Sequence, residues 1–197
     1  MSANLENFTY LHPKGRDLVL SWFDKAWRVK ECQDQYSFEP FIYCYIAFNS
    51  LAACVTEKDR DSEMIHDLGN NPICESIFNI TMQDDLIRHH HIEFQSLWPI
   101  FKVQEIRKRR IPHYQSPHRE EIVRQYFDFK IRSYTPKDPQ NPKLIGHEIP
   151  LTWNNALQSI YRVRCNLFHG DKSTDQPPDQ KIVGSAFRSF VHIFRHY

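Results

Sequence analysis

The stretch Y-R-V-R-C-N-L-F-H-G-D-K, residues 161–172, sets Arg164 five positions before His169, with Asn166 between them and Lys172 just beyond. An imidazole titrates near neutral pH and can take up and return a proton, while a guanidinium stays charged and offers its N–H donors in a planar fork. Together they can move a proton and hold an oxyanion. Laid on a helix, residues 153–168 place Trp153, Ala156, Leu157, Ile160, Val163, Leu167 and Phe168 on one arc, with Arg164 near its middle. An uncompensated charge there costs on the order of several kcal/mol, so Arg164 needs a partner, a solvated cleft or a subunit interface. In an earlier segment, Phe41, Ile42, Tyr45, Ile46, Phe48, Ala52 and Val55 form a second arc with Asn49 in its middle. Each of the two apolar stripes thus carries a polar residue. A buried Asn or Arg satisfied by carbonyls, or by a carboxylate such as Glu39 or Glu75, accounts for them equally well.

Helices must position these groups. Leu18, Trp22, Ala26 and Val29 recur at three- and four-residue spacing and predict an amphipathic helix from Arg16 to about Glu31. The next helix starts from Ser37 as N-cap, with Pro40 in its first turn, and is apolar nearly all round. Residues 59–135 read as a helical insertion: Asn70, Asn71 and Pro72 break the chain, then Ile73 to about Phe94 and Leu97 to Arg107 carry helical patterns. Residues 116–132 open with Ser116, Pro117 and Glu120, the residues of a helix start. Residues 135–150 hold four prolines and predict a loop. Two more helices follow, from about Thr152 to Phe168 and from Pro178 or Asp179 to the end. The expectation is one all-α helical domain over residues 1–197.

Composition narrows the function. The chain has 25 Lys and Arg against 24 Asp and Glu, so no global positive charge attracts nucleic acid and any such site must be local. The start M-S-A-N-L-E-N-F has no basic segment leading into an apolar run, and no membrane-spanning stretch occurs. The expectation is a soluble cytoplasmic protein. Cys32, Cys44, Cys54, Cys74 and Cys165 are odd in number and never form C-x-x-C, as expected of reduced thiols rather than disulfides or a zinc site. P-loop, dinucleotide, serine-hydrolase and zincin motifs are absent.

Two further clusters carry less. His89, His90 and His91 are consecutive, and on a helix they point about 100° apart, which sets them poorly for one metal ion. Arg107, Lys108, Arg109 and Arg110, near Lys102, His113 and Tyr114, form either a solvated helix end or a path for a phosphate backbone.

The string V-R-C-N-L-F-H-G-D-K at the end of an amphipathic helix resembles the R-x(4-6)-H motif of the HEPN superfamily, all-helical proteins that include many metal-independent endoribonucleases. Y-I-A-F-N-S resembles a segment on an earlier core helix of that family. The chain departs from the pattern at Cys165, where active members usually carry a polar residue, often Asn or Asp. The resemblance implies a homodimer that cleaves RNA, with no cofactor or metal, at a composite site, leaving 2′,3′-cyclic phosphate and 5′-hydroxyl ends. His169 is then the general base on the 2′-hydroxyl, Arg164 holds the phosphate, and Asn166, Lys172 and Asn49 support or position substrate. A second copy's His169 supplies the general acid. Defence, stress response or pairing with an antitoxin or regulatory protein is the implied setting. The alternative is a HEPN-like module that binds RNA, a nucleotide or a protein without cleaving.

Overall fold

The computed structural model describes residues 4–11, 13–32, 38–104 and 146–193, and among these the chain is all-helical. The described residues form eight α-helices in the order α1 (Asn7–Tyr10), α2 (Pro13–Cys32), α3 (Glu39–Thr56), α4 (Asp61–Gly69), α5 (Pro72–Thr81), α6 (Asp85–Gln95), α7 (Trp153–Phe168) and α8 (Pro177–Val191), with a 3₁₀ turn at Gly146–Glu148. No described helix is long and apolar enough to cross a membrane.

The apolar helix α3 is the hub, packing against α1, α2, α4 and α8. Its fully buried face is Phe41, Cys44, Tyr45, Phe48, Leu51, Ala52 and Val55. Asn49, expected in the middle of this face, lies at its edge with Ile42 and Ile46, all three half-buried. Helix α7 packs against α4, α5 and α8. There the Trp153 indole N–H donates to the Leu68 carbonyl at 2.8 Å. Gly69 lies close to α7 at this crossing, where a Cβ would stand 2.7 Å from Asn154 Oδ1 and the Asn154 side chain would have to turn aside. Helix α8 is tied to α6 by Arg188, which donates to Glu93 Oε1 at 3.0 Å.

The helix boundaries follow local chemistry. Asn71 caps α5 by accepting from the Ile73 and Cys74 amides, with Pro72 behind it. Thr152 caps α7 by accepting from the Asn155 amide at 3.3 Å. The helical pattern read over Ile73 to about Phe94 is carried by two helices, because Asp84 accepts from the Leu86 and Ile87 amides and starts α6 anew. The helical pattern read from Leu97 to Arg107 is corrected at its start: residues 97–102 are non-helical, with Trp98, Ile100 and Phe101 buried along an irregular segment, and Val103 and Gln104 are helical. Pro99 has no amide hydrogen for a helical ladder. Among the described residues no side chain caps α3, and the proposed cap Ser37 lies outside them, as do residues 116–132 and most of the proline-rich loop.

Candidate functional site

The end of α7 is a Schellman motif. Gly170 takes φ +69, its amide donates to the Leu167 carbonyl at 3.1 Å, and the Asp171 amide donates to the Asn166 carbonyl at 2.9 Å. A Cβ on Gly170 would meet nothing within 4 Å, so backbone conformation alone requires the glycine. His169 is the residue just before it, still near helical geometry at φ −86 and ψ 6, and its side chain is exposed.

Arg164 is half-buried rather than centred in an apolar seam. In the last turn of α7 the buried positions are Val163 and Asn166, while Leu167 is half-buried and Phe168 is 52% exposed. The helix leaves the core there, beside the start of α4. Arg164 Nη2 lies 3.0 Å from Asp61 Oδ2, with the two side chains 26% and 21% exposed. Its guanidinium carbon stands 4.9 Å from the Phe168 ring centre and 5.4 Å from that of Tyr45. Among the described residues, Arg164 Nε and the Tyr45 hydroxyl have no hydrogen-bond partner. Burial pushes the Tyr45 phenol far up, and the Asp61 carboxylate adds to this, partly offset by Arg164.

A polar pocket of about 220 Å³ opens at the same end of α7, lined by Lys102, Gln104, Tyr161, Arg162, Cys165, Asn166, His169 and Asp171. Arg164 is absent from this lining, as expected for a side chain five residues, or about 140° of helix, from His169. Tyr161 and Cys165 stand between the two regions. Both line the pocket, and burial followed by Cys165, which also hydrogen-bonds the phenol, pushes Tyr161 up to about 12, with Asp61 adding and Arg164 opposing.

The structure gives the remaining candidates different places. Asn166 is buried, donating to the Phe101 carbonyl at 2.7 Å and accepting from the Val103 amide at 3.4 Å, so its amide pins the 101–103 segment to α7. Lys172 pairs with Asp179 Oδ1 at 2.5 Å, both side chains under 5% exposed, and Asp179 also accepts from the Ser173 amide. That pair fastens the loop to the start of α8. Asn49 is on α3, outside the pocket lining. Arg107, Lys108, Arg109 and Arg110 lie outside the described residues.

Asp61 and Arg162 are site residues that sequence reasoning missed. Asp61 lies over a hundred positions from Arg164 and no spacing rule links them. Arg162 had a signal: Arg162, Cys165, Asn166 and His169 recur at three- and four-residue intervals and make one polar face.

The three histidines diverge. His89 is exposed, His90 stacks on His192 with ring centres 5.7 Å apart, and His91 is buried between Thr81 and Ser189. No group of three or more His, Cys, Asp or Glu among the described residues is arranged to hold a metal ion. Four described cysteines, Cys44, Cys54, Cys74 and Cys165, are free thiols.

Compared with known proteins, the chain matches no family model, no curated sequence and no solved structure.

Proposed function

We propose that this protein is a HEPN-like, metal-independent endoribonuclease in which His169 moves the proton. The observation that carries the reading is the placement of His169: exposed at the Schellman end of α7, on a polar pocket shared with Arg162 and Lys102. In the proposed reaction the His169 imidazole accepts the 2′-hydroxyl proton and the 2′-oxygen bonds to phosphorus. The P–O5′ bond breaks, and a general acid protonates the departing 5′-oxygen. A second copy's His169 is that acid in a homodimer. The phosphate-holding role expected of Arg164 passes to a cation on the pocket, since Arg164 is paired with Asp61 and lies outside the pocket lining. RNA is the substrate, and a defence, stress-response or antitoxin-restrained role fits such an activity.

The second reading, a binding module that does not cleave, is favoured by the Arg164–Asp61 pair and by Cys165 beside it. Incubating the protein with RNA in EDTA separates the two. The nuclease shortens the RNA, and His169→Ala abolishes this while remaining folded. The module retards RNA on a gel at full length.

A further inference from the structure

We propose that the pocket at His169 binds one phosphate of an RNA strand, with Arg162 as the cation that holds it and Arg164 outside it. The proposal rests on the RNA-directed reading of His169 and assigns that site its phosphate-holding residue.

The lining is rich in donors. Arg162, Lys102, Gln104, the Tyr161 hydroxyl and His169 converge on one opening, and the single carboxylate of the described lining, Asp171, is buried. A permanent cation at Arg162 beside His169 favours an anion. Arg162 brings the geometry as well, since a guanidinium presents paired N–H groups that match two phosphate oxygens. Among the described residues its Nε is shielded from solvent and has no hydrogen-bond partner. Arg164, by contrast, already spends Nη2 on Asp61 and has its face against Phe168 and Tyr45. Size agrees: at about 220 Å³ the pocket falls below the range of about 300–1,000 Å³ that encloses whole drug-sized ligands, and suits a phosphate with its attached sugar. Helical spacing explains why Arg162 shares the pocket, because residues seven apart return to nearly the same face.

The test measures binding without turnover, using a fluorescent 2′-O-methyl RNA oligonucleotide whose blocked 2′-oxygen cannot attack. Anisotropy titrations across a salt series compare wild type with Arg162→Gln, Arg162→Lys and Arg164→Gln. Arg162→Gln is expected to bind about tenfold more weakly, with the slope of log affinity against log salt reduced by about 0.7, one single-strand phosphate contact. Arg162→Lys keeps the charge and loses the fork, so its salt slope stays at the wild-type value while its affinity falls about threefold. Arg164→Gln stays within about twofold of wild type. If Arg162→Gln unfolds, the lysine variant decides alone. The proposal is overturned if wild type does not bind, if both Arg162 variants bind like wild type, or if Arg164→Gln causes the larger loss. Cleavage of unmodified RNA is read separately. Loss of binding in Arg162→Gln without any wild-type cleavage removes the nuclease and leaves the pocket, and the opposite pattern removes the pocket alone.

Discussion

At Arg164 the partner matters more than the neighbouring apolar residues. Asp61 meets its guanidinium where both side chains are partly open to solvent, so the pair contributes about 1 kcal/mol rather than the several expected of a sealed charge pair. A double-mutant cycle of Asp61→Ala and Arg164→Ala, followed by urea unfolding, should give a coupling of about 1 kcal/mol. A coupling near zero would remove the contact. His91 makes a sharper residue-scale prediction. The Thr81 hydroxyl hydrogen is spent on the Phe78 carbonyl at 2.7 Å, so His91 Nε2–H donates to Thr81 Oγ1, and Nδ1 accepts from the Ser189 hydroxyl at 2.7 Å. The neutral ring is thereby fully used. Burial first, then His192 and His90, lower its pKa from 6.5 to about 4. As pH falls the unfolded chain takes up this proton before the folded one. The contribution of His91 is therefore complete above 6.5, declines towards about 4, and is lost below that, about 3 kcal/mol in all. Urea midpoints of wild type and His91→Gln should converge across that window, and parallel curves would contradict the assignment.

At the scale of elements, the ending of α7 presents His169. Gly170→Ala should cost about 1 kcal/mol through its φ of +69 alone, since space is open around it, and Gly170→Asn should cost less. Thermal unfolding of the two variants reads this directly. Asn166→Ala strands the Phe101 carbonyl and the Val103 amide, a loss of about 1–3 kcal/mol, and hydrogen exchange at the Val103 amide should accelerate. Helices whose starts carry their own caps were legible beforehand: Asn71 with Pro72 and Thr152 before Trp153 mark α5 and α7. The restart at Asp84 was not, because the apolar residues from Ile73 to Phe94 stay in helical phase across it. Residues 97–102 misled for a related reason, since buried apolar residues repeat similarly on an irregular segment. Of the site, His169 and the glycine behind it were visible in one string, while Arg162 was missed although it lies on one polar face with Cys165, Asn166 and His169. Asp61 was not visible, because it comes from another helix.

Over the whole molecule, a net charge of +1 gives RNA no long-range attraction, so the proposed binding has to arise from a local cation such as Arg162 at the His169 pocket. Salt dependence should accordingly reflect only a few phosphate contacts. The proposed chemistry also needs two histidines on one cleft, and sedimentation equilibrium should find a dimer at micromolar concentration. The most direct measurement of the central claim is end-group analysis by mass spectrometry of RNA incubated with the protein in EDTA. Wild type should leave 2′,3′-cyclic phosphate and 5′-hydroxyl termini, and His169→Ala should slow their appearance by about 10²–10⁴-fold. Intact RNA with wild type, or equal cleavage by His169→Ala, would contradict it.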